Sequence, residues 1–289
     1  IHRRSCFVYL SFGNRIDRLF MLLARIGGKR FILDIHDLYD TSKDNSNSCK
    51  RSVINKLKSI NKVIIHSEKV QKQLVSLGYS GDVILVPHFR YNFESIPKEE
   101  RNDVTDLFDR KKINLLFFGH IRESKGIKEL FKLINGIEDI KAQRSINLVV
   151  VGSDTNQCFE RFDLHISNKV NLNKLLRKVS DSEMQSAYSY ADYVMLPYLS
   201  ISQSGVLESA ISYRKPVLAS DLPFFKKYLS QYPSFGVQFN VNDQQSFNNL
   251  IDNFVDGNKE YYLDEDLKKY MNNQIFEEFS YNFTTHFLG

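Results

Sequence analysis

The chain has 289 residues, of which 42% are hydrophobic and 25% charged, a balance that excludes disordered and fibrous classes and leaves room for two modest α/β domains. Its net charge of +5 comes from the first part: 19 Lys+Arg face 13 Asp+Glu up to residue 110, against 20 and 21 beyond it. Cys6, Cys49 and Cys158 are too far apart, and lack the Cys-x-x-Cys spacing, for a disulfide framework or a zinc site.

Short β-branched or aliphatic runs alternate with amphipathic helical patterns along the chain, the signature of parallel βαβ units covered on both faces. Strands are predicted at residues 7–10, 30–35, 62–66, 82–86, 113–118, 146–151, 192–196, 216–219 and 236–239, with helices at 15–26, 68–77, 127–137, 181–191 and 205–213. The helix at 15–26 is basic and amphipathic, which fits a core helix with charged flanks or one lying on anionic lipid. No stretch reaches the roughly 18 apolar residues that span a bilayer, so the expectation is a cytoplasmic protein, in peripheral contact with the inner membrane at most.

Between residues 87 and 112 the periodicity lapses into a polar segment containing Pro87 and Pro97, which reads as an interdomain linker. The predicted organisation is a first domain over 1–110, a second over 111–263, and an aromatic-rich tail helix over 264–289. The first domain is short by roughly two βα units, given the dozen or more residues each crossover needs. It is therefore expected to be incomplete, with the chain starting at Ile1 in the approach to a strand.

Three strand ends carry candidate chemistry. Asp34-Ile35-His36-Asp37 closes a strand, where His36 can orient an acceptor hydroxyl or take its proton, or serve structure alone; His66 and His88 occupy comparable ends and read as structural. Phe117-Phe118-Gly119-His120-Ile121-Arg122-Glu123-Ser124-Lys125-Gly126 runs from a buried strand into a helix, at the carboxyl edge where α/β proteins bind ligands. Arg122 offers a fork of donors and Lys125 a point charge, the pairing a diphosphate requires, although a solvated turn would show the same charges. Tyr198-Leu199-Ser200-Ile201-Ser202-Gln203-Ser204-Gly205-Val206-Leu207-Glu208 repeats the strand, loop and helix order, with helix-start amides near Gly205 and Val206 available to an anion. Glu208 lies close enough to accept hydroxyl hydrogen bonds beside that anion, or merely complements the helix dipole.

In this order and separation the segments resemble the donor domain of the retaining family 4 glycosyltransferases, which have the GT-B fold of two Rossmann-like parallel-sheet domains facing a cleft. The likeness runs from Ile113 through Lys125-Gly126, the strand at 148–152, Val179-Ser180-Asp181, Ala191-Asp192-Tyr193-Val194-Met195-Leu196-Pro197-Tyr198, Gln203-Ser204-Gly205 and Pro216-Val217-Leu218-Ala219-Ser220-Asp221. It implies that Arg122 and Lys125 neutralise a nucleotide diphosphate and that Glu208, matching the second glutamate of an E-x7-E motif, holds the ribose. The first glutamate falls on Ser200, so Gln203, Ser204 and Gly205, with Gly119 and Val206, are the residues implied to line the sugar and phosphate.

His36 resembles the family's cleft histidine, and Glu277-Glu278-Phe279-Ser280-Tyr281 its closing segment, in which the last helix crosses back to the first domain. The implied activity is transfer of a sugar, with retention, from a nucleoside-diphosphate sugar to a glycan or lipid-linked acceptor in surface polysaccharide biosynthesis. No cofactor or metal is expected: cations and helix amides can carry the leaving-group charge, Asp264-Glu265-Asp266 opens the tail helix, and no His-x-x-x-His is present. A non-catalytic nucleotide-sugar-binding or scaffold protein remains the alternative. A dehydrogenase is disfavoured by the lack of Gly-x-Gly-x-x-Gly after any strand, and a hydrolase by the lack of a Gly-x-Ser-x-Gly elbow; no nucleic-acid partner is expected.

Overall fold

The computed structural model describes residues 6–9, 23, 26, 30–35, 38, 57, 60, 62–86, 101–137, 145–166, 170–201, 204–254 and 260–272. The chain divides into two compact units, Ile1–Phe89 with Gln274–Gly289, and Arg90–Asn273.

In the first unit β1 (Cys6–Tyr9), β2 (Arg30–Ile35), β3 (Lys62–Ile65) and β4 (Asp82–Leu85) form a parallel sheet in that order. Apolar side chains alternate between its faces, as the pleat dictates. Leu33, Ile35, Val63 and Ile65 pack with Val70 and Leu74 of helix α1 (Glu68–Ser76), while Ile32, Ile64, Ile84 and Val86 form a cluster of their own. Ser67 caps α1 by accepting from the Val70 amide at 3.3 Å.

His66 stands at the exit of β3, with Nε2 2.6 Å from Asp34 Oδ1 of β2 and Nδ1 2.7 Å from the Val86 carbonyl beyond β4. A carbonyl only accepts, so Nδ1 carries a proton; a second proton on Nε2 satisfies the Asp34 carboxylate. The ring is thus an imidazolium clasp across three strands. Burial alone would lower its pKa, but the hydrogen bond and charge of Asp34, with the Val86 carbonyl, outweigh it and hold the pKa above the ordinary 6.5.

The second unit carries six parallel strands in the order β10-β9-β8-β5-β6-β7: β5 (Ile113–Phe118), β6 (Ile146–Val151), β7 (Asn171–Leu175), β8 (Tyr193–Leu196), β9 (Val217–Ser220) and β10 (Gly236–Phe239). Its described helices are α2 (Ile127–Asn135), α3 (Cys158–Arg161), α4 (Asp181–Tyr190), α5 (Gly205–Ser212), α6 (Pro223–Gln231), α7 (Gln244–Phe254) and α8 (Asp264–Asn272). Leu115, Phe117, Leu148 and Val150 pack with Leu130 and Ile134 of α2 and Phe247 and Leu250 of α7; Leu116, Val149, Val194 and Leu196 pack with Tyr188 of α4, Ala210 of α5 and Phe225 of α6. From β5 the chain moves one way to β6 and β7, then returns to β8 on the other side, which makes the carboxyl ends of β5 and β8 a topological switch point.

At the opposite edge of this sheet a ladder of amides sets the register. Asn147 donates to Asn114 Oδ1 at 2.8 Å, Asn173 donates to Asn147 Oδ1 at 2.9 Å, and both donate to the Leu107 carbonyl, at 3.0 and 2.9 Å. Because Asn114 and Asn147 are buried, these bonds also meet the desolvation cost of their amides. Within the tail predicted over 264–289, the described helix α8 packs in the second unit, where Asp266 Oδ2 accepts from the Ser234 amide at 2.7 Å.

Because the folded pKa of His66 is raised, its contribution to stability is complete below the unfolded value near 6.5 and is lost as pH rises through the folded value. Thermal melts across pH should therefore show wild type leading His66→Gln most at mildly acidic pH, with the gap closing as pH rises. A gap independent of pH would contradict the imidazolium assignment.

Candidate functional site

The first loop at the switch point begins where β5 ends. Gly119 turns the chain at φ 104°, and a Cβ there would sit 3.3 Å from Val206 Cγ2, so this backbone lies against the start of α5. Buried Ile121 anchors the loop, its amide bonded to the Ser153 carbonyl at 2.9 Å. Arg122 follows in extended conformation, exposed, at the head of the 3-10 turn Glu123–Lys125. That turn ends at Gly126 in the left-handed region (φ 69°), where any Cβ would overlap the Pro197 carbonyl, so glycine is required both by conformation and by contact.

The second loop leaves β8 through Pro197 and Tyr198 and is hydrogen-bonded to the first. The Ser124 carbonyl accepts from the Leu199 amide at 3.0 Å and the Ser200 amide at 3.4 Å. Lys125 Nζ lies 3.7 Å from the centroid of the Tyr198 ring, a cation–π contact that holds the ammonium over the loop junction. Tyr198 is 2% exposed, leans on Phe225, and accepts from Ser220 Oγ at its carbonyl at 2.8 Å. Burial pushes its hydroxyl up to about 12, with Ser204 pulling it down, so the ring under Lys125 stays neutral.

Helix α5 starts beyond this junction. Ser204 is its N-cap, with Oγ accepting from the Leu207 amide at 3.1 Å and its carbonyl from the Glu208 amide at 3.2 Å. The first-turn amides presented to a ligand are therefore those of Gly205 and Val206. Gly205 is exposed and a Cβ there would meet open space within 4 Å. Glu208, half-buried one turn along, accepts at Oε2 from the Tyr270 hydroxyl at 2.8 Å.

Of the residues expected from sequence, the structure brings Gly119, Arg122, Lys125, Ser200, Ser204, Gly205 and Val206 to one edge of the sheet, with Glu208 behind them on α5. His36, His88 and Gln203 lie outside the described residues. Sequence reasoning did not assign Tyr198 its place under Lys125, nor Tyr270 its place behind Glu208, because neither an aromatic after a strand nor one 62 residues away carries a local signal. Asp266 of the Asp-Glu-Asp run is engaged with the Ser234 amide. Among the described residues no group of three or more His, Cys, Asp or Glu side chains is placed to hold a metal ion.

The chain is similar to known proteins in sequence and in fold. The sequence model of the family described as "Glycosyl transferases group 1" matches residues 98–274, close to the bounds of the second compact unit. Two GDP-mannose:glycolipid 4-beta-D-mannosyltransferases of Xanthomonas campestris are similar in sequence. One is 30% identical over 106 residues, covering 36% of this chain and 29% of that protein; the other is 28% identical over 139 residues, covering 48% and 36%. The matches thus span about a third of those relatives' length. Among solved structures, Anabaena HepE in complex with UDP and glucose aligns with TM-score 0.62 at 15% identity, over 86% of this chain and 68% of that one. The E. coli structure described as trehalose-6-phosphate bound with UDP-2-fluoro glucose aligns with TM-score 0.64 at 11% identity, over 87% and 65%.

Two glycines separate architecture from ligand contact. Gly126→Ala should cost at least about 1 kcal/mol of stability in chemical denaturation, since it forces a left-handed residue into the Pro197 carbonyl. Gly205→Ala should change stability by less than about 0.5 kcal/mol, yet weaken binding of UDP or GDP if the amides of Gly205 and Val206 receive a phosphate. Equal stability loss in both variants would contradict this division.

Proposed function

The chain belongs to the glycosyl transferases group 1 family, and we propose that it transfers a sugar from a nucleoside-diphosphate sugar to a glycan or lipid-linked acceptor. The observation that carries this reading is the pair of Ser124 hydrogen bonds, which hold the Arg122 and Lys125 loop against the strand exit leading to α5. A diphosphate leaving group gathers negative charge as the glycosidic bond breaks. Arg122 supplies a planar fork of donors, Lys125 an ammonium held over the Tyr198 ring, and α5 its first amides and dipole. In this mechanism the charge is neutralised without a metal ion or cofactor.

Glu208 is the acceptor for the ribose hydroxyls, and Ser200, Gln203 and Ser204 line the sugar. His36, outside the described residues, is proposed to act on the acceptor hydroxyl. The relatives named for GDP-mannose and glycolipid, and the neighbours named for UDP and UDP-sugars, support a nucleoside-diphosphate donor and leave the base between guanine and uracil. A role in surface polysaccharide biosynthesis and a cytoplasmic site in peripheral contact with the membrane complete the proposal; retention of configuration rests on the family resemblance alone, and the beta linkage in the names of the Xanthomonas relatives is its counterweight. No helix among the described residues is long and apolar enough to cross a membrane. Ser200, standing where the family motif has glutamate, favours the second reading, a nucleotide-sugar-binding protein without catalysis.

A thermal-shift titration with UDP, GDP and their sugar conjugates tests the donor site, because a ligand of the native state raises its melting temperature. One nucleoside diphosphate should stabilise wild type, and Arg122→Ala or Lys125→Ala should each weaken its binding roughly tenfold through loss of a charge-assisted contact. Transfer to an acceptor, followed by NMR of the product's anomeric proton, separates the two readings. Product with the donor's configuration supports retention, product of opposite configuration replaces it with direct displacement, and nucleotide binding without product supports the non-catalytic reading.

A further inference from the structure

We propose that Tyr270 is a positioning residue for nucleoside recognition, fixing the carboxylate of Glu208 through its hydroxyl; this rests on the donor-site reading above. A glutamate on a helix surface has three side-chain torsions, and ordering them on binding costs affinity. Here the Tyr270 hydroxyl donates to Oε2 at 2.8 Å, which orients the carboxylate in advance. A carboxylate offers about four acceptor sites, so the Tyr270 bond to Oε2 does not by itself exclude ribose hydroxyls.

Tyr270 is itself held on all sides. It is 9% exposed, with its ring centroid 5.4 Å from Tyr232 and 5.5 Å from Phe235, both at steep edge-to-face angles. Helix α8, which carries it, is fastened at its start: Asp266 accepts from the Ser234 amide, the Leu263 amide donates to Ser234 Oγ at 3.2 Å, and the Tyr262 hydroxyl donates to the Lys215 carbonyl at 2.7 Å. Phe235 stacks on Tyr262 at 4.7 Å and so joins these anchors to the ring of Tyr270. The cluster therefore transmits the position of a helix anchored at its start to one oxygen of Glu208. A side chain that only filled space at this point would not need its hydroxyl.

The test measures equilibrium binding of GDP, UDP and inorganic pyrophosphate to wild type, Tyr270→Phe, Glu208→Ala and the double variant. Tyr262→Phe serves as a control that removes a different hydroxyl from the same cluster. Tyr270→Phe keeps the packed ring, and is expected to weaken the nucleoside diphosphate roughly three- to tenfold, the net worth of an ordinary hydrogen bond. Pyrophosphate binding should not change, and the substitution should have no further effect in the Glu208→Ala background, as a double-mutant cycle requires of residues acting as one. Tyr262→Phe should lower the melting temperature without changing the preference for nucleoside diphosphate over pyrophosphate. If Glu208→Ala loses nucleoside binding while Tyr270→Phe does not, the proposal is overturned and the donor site stands. Equal weakening of pyrophosphate, or a full Tyr270→Phe effect without Glu208, also overturns it; wild type binding neither GDP nor UDP removes the donor site and this proposal together.

Discussion

The carbonyl of Ser124 is the point on which the second unit's site depends. By accepting from the amides of both Leu199 and Ser200, it converts two loops from different strands into one surface. Gly126 permits this approach because no Cβ intervenes before the Pro197 carbonyl, and Tyr198 then lies beneath Lys125. Each consequence is local, yet none arises unless β5 and β8 are neighbours, which the strand order provides. The sheet positions the loops, and the loops position the charges. In the proposed mechanism this gives preorganisation a concrete meaning, since the loop backbones that carry Arg122 and Lys125 are joined by hydrogen bonds and the Lys125 ammonium rests on the Tyr198 ring.

The elements legible in the sequence were those with an apolar signature. β5 and β6 are six-residue runs buried almost throughout, and their bounds match the hydrophobic reading. β7 has the sequence Asn-Leu-Asn-Lys-Leu at a sheet edge and escaped that reading, because its pairing is secured by an asparagine ladder and not by apolar burial. Helix α3 has only four residues, too short for a periodic pattern, and α6 shows its Pro at the first position but then an aromatic-rich face. Arg122, Lys125 and Ser204 could be placed at the strand exits from the sequence because their positions follow from local chain direction. Tyr198 and Tyr270 could not, since each acts across the fold on a residue that only folding brings near.

The first unit shows the limit of reading histidines from strand ends. His66 shares the position that suggests catalysis, at the carboxyl edge of a parallel sheet, but both of its ring nitrogens are engaged, by Asp34 and by the Val86 carbonyl. A ring so committed has no nitrogen left to serve as a base, and its role is to bind three strands together. Charge serves different ends in the two units. In the first it is engaged internally by a half-buried pair, and in the second Arg122 is exposed at a loop rim while Lys125 is held over an aromatic face.

A crystal structure of the chain with UDP or GDP bound tests the central claim most directly. The account predicts the diphosphate within hydrogen-bonding distance of Arg122, Lys125 and the amides of Gly205 and Val206, with the ribose hydroxyls on Glu208. A nucleotide bound at another surface, or in this one with its phosphates out of reach of both cations, would contradict it.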